Sequence, residues 1–210
     1  MNQAGKYGDF GIGTFNGLDG EMVFLDNIFY QIKSDGNVYK IDKSNKTPFA
    51  AITYFESDKE TQLEEDYTFK EIEEYIDGIL PSRNLPYAVK IKGKFKKIKV
   101  RSVPKQKKPY AKLIEIVKNQ PVFELTDVEG TIVGFILPQY TSNINVPGCH
   151  FHFITEDKKK GGHVLEFSLE NAVMQIDYTY DYYIILPQSD DFFKVKLEKD
   201  NKKELNEVEK

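Results

Sequence analysis

The chain has no tryptophan, one cysteine and three histidines in 210 residues. A lone cysteine excludes an intrachain disulfide and fits a reducing compartment. Without tryptophan, aromatic packing falls to 15 Phe and 13 Tyr, a bias that suggests a β-rich core. No apolar run approaches the roughly 20 residues needed to cross a bilayer. The N-terminus also lacks the basic-then-apolar pattern of a signal peptide. Positive charge is not in excess either: the formal net charge is -4, which gives no argument for a nucleic-acid partner. These absences predict a soluble, cytoplasmic protein that binds neither membrane nor nucleic acid. Hydrophobic content of 40% is that of a globular chain, and the length allows one large or two small domains.

Scarcity makes the placement of histidine informative. All three fall in one run, Cys149-His150-Phe151-His152-Phe153 followed by Gly161-Gly162-His163. Successive side chains on a strand point to opposite faces. His150 and His152 therefore share one face, and Phe151 and Phe153 share the other. A charged, Gly-ended turn follows. If the flanking runs pair as a hairpin, His163 returns beside His152. Three neutral imidazoles converging with no cysteine facing them form the ligand set of a catalytic zinc or similar divalent ion. Cys149 falls on the Phe151 face and reads as a small buried hydrophobe.

The first third of the chain reads as short strands over residues 10–15, 21–25, 28–34, 38–41 and 49–57. Leu18-Asp19-Gly20, Asp26-Asn27 and Asp35-Gly36-Asn37 separate them, residues that tolerate the positive φ of tight hairpins. Thr68 stands three residues before Glu71 as a capping box, and Phe69, Ile72, Tyr75, Ile76 and Ile79 form a helical stripe that stops before Pro81. Strands are expected at 89–92 and 95–103 around Gly93, then a helix over 110–119. Further strands are expected at 122–125, 131–137, 149–155, 162–169, 173–178 and 182–186. The fold class is α+β and β-rich, with two mixed β-sheet halves that each carry a helix. Residues 1–105 form the N-terminal sheet domain. Residues 106–210 form the C-terminal one, with the histidine site and a charged tail over 197–210. The joint lies near 104–121, where proline and lysine accumulate.

Residues 90–108 hold nine lysines and one arginine, Arg101. The lysines alternate with Val, Ile and Phe as on a half-solvated edge strand. The planar fork of Arg101 suits a carboxylate or enolate better than an ammonium does. Glu21 reads as an ordinary strand-edge glutamate, and Glu204, Glu207 and Glu209 as part of a frayed tail.

Several segments resemble the α-acetolactate decarboxylase family. They are Gly8-Asp9-Phe10-Gly11-Ile12-Gly13-Thr14-Phe15, Leu18-Asp19-Gly20-Glu21, Leu80-Pro81-Ser82-Arg83-Asn84, and Val100-Arg101-Ser102-Val103 with Pro109-Tyr110. Gly130-Thr131-Ile132-Val133-Gly134-Phe135 and Val146-Pro147-Gly148 continue the match into the histidine run, so it covers nearly the whole chain in order. The resemblance implies that family's two-domain fold and a bacterial homodimer converting 2-acetolactate to acetoin and carbon dioxide. It implies one Zn2+ held by His150, His152 and His163. It further implies catalytic roles for Glu21, Arg101 and a C-terminal glutamate, assigned to Glu209 with Glu207 as the alternative, and a pocket position for Thr14. Two departures stand out. Family members usually carry a further N-terminal segment, which is expected to be trimmed or naturally short here. Cys149 stands where an aromatic is common.

Two other readings remain open at this point. A cupin-like metalloenzyme acting on a small oxygenated acid also uses His-x-His, and Glu156 lies four residues beyond His152. The third reading is a non-enzymatic module that binds an anionic ligand through residues 90–108.

Overall fold

The computed structural model describes residues 1–42, 44–111, 115–116, 120–188 and 190–194. The first strands follow the turn chemistry. β1 (Phe10–Thr14), β2 (Glu21–Leu25), β3 (Ile28–Ile32) and β4 (Val38–Lys40) are consecutive neighbours, and β5 (Phe49–Thr53) closes the other edge. Asp26 and Asn27 both take positive φ, 51° and 62°, as the two-residue turn between β2 and β3 requires.

The second sheet has six strands. β6 (Lys59–Leu63) and a short β7 (Tyr67–Thr68) lead into α1 (Phe69–Ile79), followed by β8 (Tyr87–Arg101), β9 (Val122–Leu137), β10 (Gly148–Thr155) and β11 (Gly161–Tyr178). Five run in the order β10-β9-β8-β11-β6, β7 pairs β11 beside them, β10 also pairs β11, and the sheet draws on residues from both sides of position 105. Every strand pairing among the described residues is antiparallel, where mixed sheets were expected.

Three long strands replace pairs of expected short ones. Gly93 and Gly130 fall between expected strands, yet both sit inside long ones, at points where a neighbour leaves no room for a side chain. A Cβ at Gly93 would meet the Asn171 carbonyl oxygen at 2.2 Å, and one at Gly130 would meet the Phe153 ring at 2.4 Å. The strand β6, Lys-Glu-Thr-Gln-Leu, carries almost no apolar signal and exists through its pairing with β11. Residues 182–186, expected as a strand, run exposed without strand pairing. Their β-formers lack a partner, and β-propensity is realised only against one. Beyond them lies a short α2 (Asp190–Lys194). The helix expected over 110–119 falls largely outside the described residues.

Helix α1 begins as its cap predicts. Thr68 accepts from the Glu71 amide, and the Glu71 carboxylate accepts from the Thr68 amide at 2.8 Å. Its Ile72 and Ile76 are buried against Phe151, Phe153, Phe95 and Phe167 of the second sheet. Each such side chain removed from water contributes roughly 1.5–3 kcal/mol. The opposite face of that sheet meets the first one through Val133, Phe135, Leu137 and Ile154 packed on Phe10, Ile12, Val23 and Ile32. This inter-sheet layer is where the histidine face of β10 points. No helix among the described residues is long and apolar enough to cross a membrane.

Candidate metal centre

Strand alternation and one hairpin register place the three imidazoles together. His152 and His163 are directly opposed on β10 and β11, and His150 lies two residues back on the same face. Ring centroids stand 5.1–5.4 Å apart. One ring nitrogen from each falls within 4.8 Å of the others, and all three residues are buried. Phe151 and Phe153 point the other way into the α1 layer, and Cys149 packs at its margin, away from the imidazoles. Burial, then the Glu73 carboxylate, push the Cys149 thiol well above its usual value, so it stays protonated at neutral pH.

Burial also keeps the imidazoles neutral. It holds His150 down at about 3, with the Arg101 charge adding to the effect. It lowers His152 strongly, seconded by His150, although the bond to Met22 opposes the shift. His163 is lowered by burial, then by Arg101 and the other two rings. Neutral imidazoles are the form that ligates a metal.

The tautomer of His152 follows from its partner. Its Nδ1 lies 2.7 Å from the Met22 carbonyl, which can only accept, so Nδ1 carries the proton. The lone pair is then on Nε2, which is buried without a hydrogen-bond partner and lies 3.5 Å from a Glu21 carboxylate oxygen. An ion pair there would need a protonated His152, which burial disfavours. Two electron-rich atoms face each other, and a cation between or beside them resolves the repulsion. These residues therefore fit a divalent ion held by three imidazoles, with Glu21 alongside.

The first sheet supplies Glu21 and Thr14. They are directly opposed on β2 and β1, and so share the face that looks at the second sheet. The Thr14 hydroxyl donates to the Gly20 carbonyl at 2.7 Å, bracing the residue before Glu21. Arg101 ends β8 directly opposite His163 and is buried. The structure thus brings together Glu21, Arg101, His150, His152 and His163, with Thr14 beside Glu21. Glu207 and Glu209 lie outside the described residues. The Met22 carbonyl, which orients His152, has no signature in sequence because every residue owns a carbonyl. Ser102, next to Arg101, had none beyond its adjacency.

The competing readings meet specific obstacles. Glu156, the carboxylate a cupin-like site would use, lies past the end of β10 with its oxygen 3.1 Å from Lys92 Nζ. Lysines of the 90–108 strip face acidic partners: Lys94 with Glu170 at 2.8 Å, Lys97 with Glu124 at 2.8 Å and Lys99 with Glu166 at 3.2 Å. Lys90 sits over the Phe55 ring at 4.6 Å. An anion would have to displace these contacts.

Comparison with known proteins points the same way. A family model described as alpha-acetolactate decarboxylase matches residues 1–199. The alpha-acetolactate decarboxylase of Methanosarcina mazei is 48% identical over 204 residues, covering 97% of this chain and 71% of its relative. The enzyme of that name from Bacillus licheniformis is 42% identical over 199 residues, covering 95% of this chain and 79% of its own. The crystal structure of alpha-acetolactate decarboxylase from Bacillus subtilis superimposes with a TM-score of 0.96 at 41% identity, covering 99% of this chain and 89% of that one.

Proposed function

Because the chain belongs to the alpha-acetolactate decarboxylase family, we propose that it converts 2-acetolactate to acetoin and carbon dioxide at the inter-sheet histidine centre. The observation that carries this reading is the buried, neutral His150-His152-His163 triad, whose His152 lone pair faces the Glu21 carboxylate.

His150, His152 and His163 would hold the metal, and zinc suits three imidazoles with an open fourth position. When bound, such an ion supplies a Lewis acid for charge developing on the substrate oxygens. The reaction breaks the bond between the carboxyl carbon and C2. The electron pair moves onto the 3-keto oxygen, carbon dioxide leaves, and an enediolate remains. A proton returned to C2 completes acetoin. Arg101, opposite His163 and buried, supplies a fixed positive charge for the carboxylate and then for the enediolate oxygen. Glu21, with Glu209 from the tail, serves the returning proton, and delivery from one face sets the handedness of the product. Thr14 supports this wall of the pocket through Gly20. We assign the protein to the cytoplasm as a homodimer.

The test is acetoin formation from racemic acetolactate with and without a chelator. Metal-loaded protein should exceed the spontaneous rate by many orders of magnitude, and chelation should remove the excess. A metal-loaded sample that forms no acetoin above background defeats the reading. Deleting residues 204–210 in the same assay should abolish turnover while the circular dichroism spectrum is kept. Full activity in that truncation would remove Glu209 from the mechanism.

A further inference from the structure

Arg101 is the last residue of β8, so its guanidinium is only as well placed as the point where the chain leaves the sheet. That exit is stitched to the first sheet on both sides of Glu21. Ser102 is fully buried, and its hydroxyl donates to the Ile32 carbonyl at 2.8 Å. Ile32 is the residue directly opposed to Glu21 on β3. One residue further on, the Val103 carbonyl accepts from the Gly20 amide at 3.0 Å, and Gly20 immediately precedes Glu21. On the far side, the Ser102 amide donates to the Pro121 carbonyl at 3.2 Å. Among these ties, the Ser102 hydroxyl is the one made by a side chain. It crosses from the strand of Arg101 to the strand beside Glu21.

We propose that Ser102 is a positioning residue for the decarboxylation: its hydroxyl holds the Arg101 end of β8 in register with Glu21, fixing the guanidinium relative to the carboxylate and the imidazoles. The physical reason lies in the architecture. Glu21 belongs to the first sheet, whereas Arg101 and the histidines belong to the second. A pocket assembled from two sheets keeps its geometry only through ties across the gap. The Met22 carbonyl ties His152 across it, and Ser102 ties Arg101. Electrostatic stabilisation of a developing charge depends on such preorganisation, and misplacement by about 1 Å costs roughly 100-fold in rate. This inference rests on the decarboxylase reading above.

The experiment compares Ser102→Ala, Ser102→Cys and Ser102→Thr with the parent for kcat, KM, bound metal and melting temperature. In Ser102→Ala, kcat should fall roughly 10- to 100-fold while KM moves by less than about threefold, because the displaced charge acts mainly on the transition state. Bound metal should stay at the parent level, since no ligand has been touched. Ser102→Thr keeps the hydroxyl and should restore most of kcat. Ser102→Cys keeps the volume but donates poorly, so it should behave like the alanine variant. It also decides the matter if Ser102→Ala fails to fold. The inference is overturned if a folded, metal-loaded Ser102→Ala or Ser102→Cys keeps the parent kcat. It is equally overturned if metal is lost in step with activity. A parent chain that forms no acetoin would defeat the decarboxylase reading and this inference with it. A parent that does, beside unaffected Ser102 variants, would defeat this inference alone.

Discussion

His152→Ala is expected to take bound divalent metal from about one per chain to near zero and to lower acetoin formation by more than roughly 100-fold. Outer partners of metal ligands alone are worth about 10- to 100-fold, and His152 would be a ligand itself. The substitution removes two things at once. It deletes the Nε2 lone pair that faces Glu21, and it leaves the Met22 carbonyl without its Nδ1–H donor. The second loss should destabilise the metal-free fold by about 0.5–1.5 kcal/mol, the net worth of one hydrogen bond, because Met22 stays paired within the β1-β2-β3 ladder. A chelator separates the effects. It should lower the melting temperature of the metal-loaded parent, since an ion that binds only the native state stabilises it, and leave that of the variant unmoved. Elemental analysis that finds the variant as metal-rich as the parent would show that the triad is not the centre.

Arg101→Gln is expected to lower kcat by roughly 10²- to 10³-fold, equivalent to about 2.7–4 kcal/mol of lost transition-state stabilisation. Metal content should be unchanged, because Arg101 sits opposite His163 but supplies no ligand atom. The charge that Arg101 places near all three rings also disfavours their protonation. Arg101→Lys keeps the charge but loses the planar fork, and should recover only part of the rate. Steady-state acetoin kinetics on metal-loaded protein check both variants. Parent-like turnover in folded Arg101→Gln would leave this arginine as a closing residue of the sheet and nothing more.

The elements most legible in the sequence were those with local causes. The capping box at Thr68 and Glu71, the positive-φ turn at Asp26 and Asn27 and the alternation across Cys149–Phe153 all appear as expected. Each depends on residues within a few positions of one another. Errors arose where the cause was distant. The β8–β11 ladder shifts register between Val164 and Glu166, between Ser168 and Leu169, and between Leu169 and Asn171. Such irregularities break the alternation by which a long strand is recognised. At Gly93 the lack of a side chain reflects the Asn171 backbone on a neighbouring strand, not a turn. Residues 182–186 show the converse, with good β-formers and no partner strand.

The same division runs through the candidate metal centre. From the amino-acid order alone came the three histidines and the face they share, because a strand's two-residue period is a local property and the hairpin between β10 and β11 closes over a short turn. Family resemblance, also carried by sequence, named Glu21 and Arg101 as their companions. The tertiary structure decided how those companions are reached. Glu21 comes from a different sheet, Arg101 from the last position of a strand, and the ties that align them run through the Met22 and Ile32 carbonyls. Backbone carbonyls are common to every residue, so their use is invisible until two sheets are packed face to face. That packing also excludes water and lowers the histidines' proton affinity, which turns three imidazoles into a neutral ligand set.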